Sequence, residues 1–351
     1  MSVSERRIAR RFILNVPLQL LPIKASSQVA RTVETMNIST RGVYFTTDLP
    51  LSQGQLVQVL LQMPKEITGN GVSARRFTGR VAHVDSNGFA NGMSGVGVQF
   101  LYYGELALQL HEQEQENSEA RSIQQGLLPK EIPQFPGYEI ATAWQSARVV
   151  GGDYFDVLPF DADSLGLCIA DVAGKGFSAA LLMSNLQAAV RGLAAPSFPP
   201  NELCLRLNSL LHRNMEGDRF VTFFYAQLDG LARRLRYANA GHSPPIVLHR
   251  DGSHHRLKEG GGVLGLFSYQ TFASSVIHLQ PGDRLILFTD GVTEASNTAK
   301  EEFGEQRLLE LLQAHRTSTP HEIKHKILDA LADFNRSNWH DDVTLLILAV
   351  S

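Results

Sequence analysis

Along residues 12–100, apolar positions come in short runs, several alternating with polar ones, at 12–21, 31–36, 42–46, 56–61, 77–84 and 95–100. Gly, Asn, Ser and Pro separate the runs. Period-two alternation bounded by turn residues predicts strands, and six of them predict a small antiparallel β-barrel or sandwich. A different pattern starts at Tyr102. From Glu105 to Gln125 there is neither Gly nor Pro, and Gly126 and Pro129 follow as stop signals, which predicts one long exposed helix. Leu106, Leu110, Gln113, Asn117, Ala120, Gln124 and Leu127 fall in 4,3 spacing, the seam of a helix pair with a polar middle. A solvated connector and a dimeric signalling helix both fit this stretch.

Past residue 138 the periods mix. Strands are predicted at 138–144, 154–159, 165–171, 220–229, 234–239, 246–248, 271–278, 283–289 and 343–350, and helices at 177–193, 202–215, 304–315 and 320–335. Successive strands interrupted by grouped helices predict an α+β domain with layered sheets, not a βαβ parallel sheet. At 351 residues the chain is expected to be multidomain: a barrel over 1–103, a helical linker over 104–128 and an α+β domain over 129–351.

Composition narrows the class. A hydrophobic fraction of 43% against 19% charged residues excludes a disordered chain. No apolar stretch is long enough to cross a bilayer, and the basic start lacks the apolar segment of a signal peptide; a soluble, cytoplasmic protein is expected. Cys168 and Cys204, without CxxC spacing, read as reduced packing residues. The net charge of −3 conceals a partition: +6 over 1–103, −4 over 104–128 and −5 over 129–351. A basic segment suits phosphate and an acidic one suits cations.

Four acidic turns stand out in the C-terminal part: Gly151-Gly152-Asp153-Tyr154-Phe155-Asp156, Asp171-Val172-Ala173-Gly174-Lys175-Gly176, Phe288-Thr289-Asp290-Gly291-Val292 and His340-Asp341-Asp342-Val343-Thr344. An Asp beside glycines at a strand end brings a carboxylate to a sheet edge while leaving room for backbone and ion. One such Asp is ordinarily a cap or a turn residue. Four in one segment repel unless cations neutralise them, and an all-oxygen set favours Mg²⁺ or Mn²⁺ over zinc.

With Ile123-Gln124-Gln125-Gly126-Leu127-Leu128-Pro129, Asn239-Ala240-Gly241-His242-Ser243-Pro244-Pro245, the FTDGVTEA block and the terminal DDVTLL, these turns resemble the PPM-type metal-dependent protein serine/threonine phosphatases. The match is to their bacterial branch, that of the sporulation stage II E and stress-response sigma regulator phosphatases, over about residues 120–350. The resemblance implies an αββα layered domain and two ions, Mn²⁺ or Mg²⁺. It assigns Asp171 as the bridging carboxylate with the Val172 carbonyl beside it, Asp153 to the second metal, and Asp290 and Asp341 to the first. Asp342 stands where many relatives carry Asn, as an assisting ligand or a group behind the ligands. Asp171 and Asp290 are the catalytic candidates. Two metals ~3.5–4 Å apart present a hydroxide for in-line attack, so no protein nucleophile is required. Arg148 is a candidate phosphate contact or a surface residue. His242 is a substrate contact or, preferably, a turn stabiliser, and Asp156 an auxiliary or structural acid. The GxGxxG of Gly260, Gly262 and Gly265 lacks its strand-to-helix context, and Gly174-Lys175-Gly176 lacks the Ser or Thr of a phosphate loop. Ser178 opens a helix, and His254 and His255 read as solvated.

At the basic end, Arg6, Arg7, Arg10 and Arg11 precede the first strand, and Asn37-Ile38-Ser39-Thr40-Arg41-Gly42 follows. Guanidinium groups bind phosphate bidentately and stack on purines; a general RNA or lipid-headgroup contact is the plainer reading. The pair RxxxR and NxSxxG resembles the PilZ family of cyclic di-GMP receptors, over about residues 3–103. Both Arg6 with Arg10 and Arg7 with Arg11 satisfy the motif, the second slightly better; Asn37, Ser39 and Gly42 match without ambiguity. The combined expectation is a cyclic di-GMP-responsive phosphatase acting on a phosphorylated partner, an anti-sigma-factor antagonist of STAS type. A homodimer through the linker helix is expected, with no membrane and no nucleic-acid polymer as partner. A catalytically idle scaffold and a metal-dependent nuclease are the competing readings.

Overall fold

The structure, a computed structural model, describes residues 11–12, 16–22, 31–39, 41–63, 73–85, 93–101, 104–133, 135–215 and 219–351. The chain forms two compact units, Met1–Ser118 and Glu119–Ser351.

The first unit holds β1 (Arg11–Phe12), β2 (Pro17–Pro22), β3 (Arg31–Ser39), β4 (Gly42–Thr47), β5 (Leu56–Met63), β6 (Ser73–Asp85) and β7 (Ser94–Phe100). The order β3-β2-β5-β6-β7-β4 returns to β3 and closes a six-stranded antiparallel barrel, to which β1 adds at β3. Closure pairs the edges an open sheet would leave. The single strand expected over 12–21 is interrupted: Arg11 lies opposite Ser39 and Pro17 opposite Glu34. Between these pairs Val16 N donates to Thr35 Oγ1 and Thr35 N to Val16 O. Alternate residues Val57, Val59 and Leu61 turn inward and pack with Leu18, Ile38, Phe45 and Val98, as the pleat requires. Helix α1 (Gly104–Leu127) follows.

The second unit contains two sheets. One runs β14-β13-β17-β18-β8, from β8 (Tyr138–Gln145), β13 (Ile246–Leu248), β14 (His254–Arg256), β17 (Arg284–Phe288) and β18 (Val343–Val350). The other runs β15-β12-β11-β10-β9, from β9 (Tyr154–Pro159), β10 (Ser164–Val172), β11 (Val221–Asp229), β12 (Arg234–Ala240) and β15 (Gly260–Gly261), with β16 (Ser275–His278) also on β12. Helices α2 (Phe177–Leu193) and α3 (Pro200–Asn214) place Met183, Leu186, Leu203 and Leu207 in one core with the β9–β12 sheet. After the single turn α4 (Asp290–Thr293), α5 (Gly304–Ala314) and α6 (Pro320–Asn335) place Leu308, Leu312, Ile323 and Ile327 in another core. In β17, Leu285 and Leu287 face the first core while Ile286 and Phe288 face the second. Every residue of β18 is buried, as in a strand covered on both faces. Helix α6 begins with a Thr319–Glu322 capping box and Pro320 in its first turn, a start readable from sequence.

Two further expectations change in the second unit. The strand expected over 271–278 forms only at Ser275–His278, because Phe272 is buried and Ala273 N instead donates to Gly260 O. Asp290 opens its own helical turn, α4, directly after β17. Cys168 and Cys204 are buried and free, as expected. Among the described residues no helix is long and apolar enough to cross a membrane.

Candidate functional site

The four acidic turns meet at one end of the two sheets. Ala170 pairs with Tyr154, so Asp171 and Asp153 leave β10 and β9 side by side. Phe288 pairs with Leu345, which puts Asp290 and Asp341-Asp342 at the matching end of β17 and β18. Asp153 joins the sheets, its Oδ2 accepting from Thr289 Oγ1 at 2.8 Å and from Thr344 Oγ1 at 2.6 Å. Its side chain is buried. Burial, and then the charges of Asp171 and Asp342, push the Asp153 carboxyl well above its usual range, against the pull of the two threonines. Burial followed by Asp290, Asp341 and Asp342 raises Asp171 to about 7, with Lys175 opposing. Asp290 is raised by burial and by Asp341. Desolvation and like charge disfavour the ionised forms together, so a cation is the group that relieves all of them.

Asp342 faces the backbone. Its Oδ1 accepts from Ala147 N at 2.8 Å and its Oδ2 from Gly152 N at 2.7 Å, so it fixes the 147–152 loop from behind. Asp341 faces Lys175, whose Nζ lies 2.6 Å from its Oδ2 and also donates to His340 O at 3.1 Å. Glycines make this approach feasible: a Cβ at Gly151 would strike the Asp342 carboxylate, and one at Gly291 the Asp342 carbonyl. A Cβ at Gly152 would sit 2.9 Å from Val172 O and 3.4 Å from Asp171 Oδ1. From helix α1, the buried Gln124 grips the same loop, its Nε2 donating to Gly151 O at 2.6 Å and its Oε1 accepting from Gly151 N at 3.0 Å.

The other candidates divide. His242 is buried; its Nε2 donates to Phe288 O at 3.2 Å and its Nδ1 accepts from Thr222 Oγ1 at 2.8 Å. Burial lowers its pKa to about 4, leaving a neutral ring that ties β11 to β17. Asn239 closes the turn by accepting from His242 N and donating to His242 O, the turn-stabilising role favoured from sequence. Asp156 is structural, accepting from Arg191 Nε at 2.7 Å and Tyr154 Oη at 2.8 Å. Arg148 is exposed, its Nη1 3.8 Å from where a Cβ of Gly176 would stand. Thr289, Thr344, Lys175, Gln124 and Glu294, whose pKa burial and Asp290 raise, were not singled out as site residues by sequence reasoning. All lie inside or beside the motifs, and that adjacency was the available signal.

In the barrel, Asn37, Ser39, Arg41, Gly42, Tyr44 and His83 line a groove of about 210 Å³. Ser39 Oγ accepts from Arg41 N at 3.3 Å and donates to Gly42 O at 3.4 Å, closing the turn. A Cβ at Gly42 would strike Val98 O. The Tyr44 and His83 rings stack with centroids 5.7 Å apart. The β1–β3 register sets Arg11 opposite Ser39. Arg6, Arg7 and Arg10 lie outside the described residues.

The donor chemistry of the acidic centre fits hard divalent cations: carboxylates from four turns, a carbonyl at Val172, and a glycine at 152 that keeps that carbonyl uncovered. With Asp153 drawn onto two threonines and Asp341 onto Lys175, no three ligating side chains among the described residues meet about one point at metal-bonding distance.

A carboxylate centre between two such sheets has the donor set of a metal-dependent hydrolase. Residues 161–351 match the family described as stage II sporulation protein E (SpoIIE), and the chain belongs to that family of metal-dependent serine/threonine phosphatases. It is 33% identical over 230 residues to the phosphoserine phosphatase RsbU of Bacillus subtilis, covering 65% of this chain and 68% of that protein. It is 28% identical over 233 residues to the phosphoserine phosphatase RsbP of the same organism, covering 65% of this chain and 56% of that one. The SiaA-PP2C domain of Pseudomonas aeruginosa shares the fold, with a TM-score of 0.61 at 21% identity over 70% of this chain and 100% of that chain.

Proposed function

We propose that the chain is a cyclic di-GMP-responsive protein phosphatase, with a PilZ-like receptor barrel over 1–103, a helical transmitter over 104–128 and an αββα catalytic domain over 129–351. The observation that carries the catalytic half is the convergence of Asp153, Asp171, Asp290 and Asp341 from two sheets, with burial and mutual repulsion raising the pKa of the first three from the usual carboxylate value.

Asp171, with Asp153 and the Val172 carbonyl, would hold one divalent cation, and Asp290 and Asp341 the other. When bound, two Mn²⁺ or Mg²⁺ ions supply a hydroxide at neutral pH and neutralise phosphoryl oxygens. The chain's own part is placement: Thr289 and Thr344 aim the Asp153 carboxylate, Asp342 pins the loop before it, and the glycines keep the approach open. The substrate is a phosphoserine or phosphothreonine of a partner protein. RsbU and RsbP, both phosphoserine phosphatases, support that class, and an anti-sigma-factor antagonist of STAS type is the proposed partner.

The receptor half rests on the groove. Asn37, Ser39 and Gly42, separated as the motif requires, line one cleft with a stacked aromatic pair and an arginine, surfaces suited to a purine edge and a phosphate. Ligand at the barrel changes how α1 pairs, in a homodimer, or packs on α2, and so the geometry of Asp153 and Asp171. Such coupling requires ligand to bind the two states unequally. Two experiments test the halves separately. Mn²⁺-dependent hydrolysis of a phosphoserine peptide is expected for the wild type and lost in Asp290→Ala; equal rates contradict the catalytic assignment. Calorimetry with cyclic di-GMP is expected to show binding that Ser39→Ala and Arg7→Ala weaken; unchanged binding in both removes the assigned ligand site.

A further inference from the structure

The end of helix α1 is fastened to the catalytic unit at three places. Arg121 Nη2 donates to Ser146 Oγ at 3.3 Å, Gln187 Nε2 donates to Leu127 O at 3.0 Å, and between them the Gln124 amide makes its reciprocal pair with Gly151. Only the central fastening touches the turn that carries Asp153. It is also the most enclosed: Gln124 is 3% exposed, whereas its neighbours Ile123 and Gln125 face solvent.

We infer that Gln124 is a positioning residue for the metal centre, its side-chain amide setting the orientation of the Gly151 peptide and, through it, the Asp153 carboxylate; this rests on the metal-dependent reading above. The chemistry selects glutamine. A primary amide donates and accepts in one plane, so it satisfies both the N–H and the C=O of a single residue. A carboxylate of the same shape accepts from Gly151 N but sets an oxygen against Gly151 O. A leucine satisfies neither, and buried backbone groups left without partners move to find them.

The loop has little freedom to compensate. Asp342 holds Ala147 N and Gly152 N from one side, and Gln124 holds Gly151 from the other. Gly152, next in line, stands where even an added Cβ would come within 2.9 Å of Val172 O. Rotation of the Gly151 peptide therefore passes directly to the Gly152-Asp153 segment. The seam positions Gln113, Asn117 and Gln124 fall on one helical face in sequence, yet Gln113 Nε2 donates to Asn117 Oδ1 within the helix, and Gln124 leaves that pattern to reach the catalytic unit. A helix whose last turns carry this contact sets the metal loop by its own position.

The test uses the full chain and Mn²⁺ alone. Isothermal titration with Mn²⁺, and amide hydrogen exchange at Gly151 and Gly152 in metal-free protein, are measured for wild type, Gln124→Leu, Gln124→Glu and the exposed control Gln125→Leu. Loss of a group that orients ligands weakens metal binding by ~10–100-fold. That loss is expected in both Gln124 variants, with faster exchange at Gly151 and no change in Gln125→Leu. Gln124→Glu, nearly isosteric, keeps the test valid if Gln124→Leu does not fold. Mn²⁺ affinity and Gly151 exchange equal to wild type in Gln124→Glu overturn the inference. A wild type that binds Mn²⁺ yet hydrolyses no phosphoserine peptide contradicts the phosphatase reading and leaves this binding test standing.

Discussion

Thr344 Oγ1 donates to Asp153 Oδ2 at 2.6 Å across 191 residues of chain. The bond joins the first acidic turn to the strand that follows the last one, and with Thr289 it makes Asp153 the point where the two sheets are tied at the centre. A group that aims a ligand affects metal affinity before turnover. Thr344→Val keeps the volume and removes the hydroxyl, so it is expected to raise the Mn²⁺ concentration for half-maximal activity by ~10–100-fold. The rate at saturating Mn²⁺ should change much less. An unchanged Mn²⁺ requirement argues against the aiming role.

Gly152 leaves no room for a side chain beside the Val172 carbonyl. An added methyl at 2.9 Å from Val172 O forces the loop outward, at a cost of about 1–3 kcal/mol for overpacking. Gly152→Ala is expected to keep a cooperative melt while losing most Mn²⁺-dependent hydrolysis. Wild-type activity in this variant contradicts the placement of the Val172 carbonyl.

Much of the fold was legible in sequence because burial follows the pleat. Strands were expected over 56–61 and 343–350, and both formed. The break at Val16 is flanked by Asn15 and Pro17, yet the apolar residues on either side read as one strand until the Thr35 pairing shows the interruption. The acids were legible because Asp at a glycine-rich strand end is an unusual composition. Their helpers were not. Thr289 and Thr344 look like ordinary strand residues until the two sheets face each other, and Gln124 scans as a position of a helical seam. Lys175, set aside with a false phosphate loop, turns out to neutralise Asp341.

Burial of the carboxylates, and then their crowding, has a pH signature in the metal-free protein. Asp171 rises from 3.8 to about 7 on folding. The native state then holds a proton the unfolded state has released, and stability falls as pH rises from about 4 through about 7. Asp171→Asn removes that penalty. Its melting temperature without metal is expected to exceed the wild type's at pH 8, by an amount worth of the order of a few kcal/mol, with the gap closing toward pH 4.5. A gap independent of pH contradicts the repulsive centre.

His242 acts with the opposite sign. Burial takes it from 6.5 to about 4, so the unfolded chain binds the proton first and the contribution of His242 is lost as pH falls from about 6.5 toward 4. His242→Ala also leaves Thr222 Oγ1 and Phe288 O without their partner, and thermal melts at pH 7.5 are expected to show a loss of about 1–3 kcal/mol. A neutral result contradicts the bracing role.

The central claim is that one chain joins a cyclic di-GMP receptor to a two-metal phosphatase. Its most direct test is the rate of phosphoserine-peptide hydrolysis in saturating Mn²⁺, with and without cyclic di-GMP, for wild type and Ser39→Ala. The account predicts that ligand changes the wild-type rate and that Ser39→Ala, lining the groove at a distance from the metal centre in sequence, keeps its basal rate but loses the response. A wild-type rate unaffected by cyclic di-GMP contradicts it.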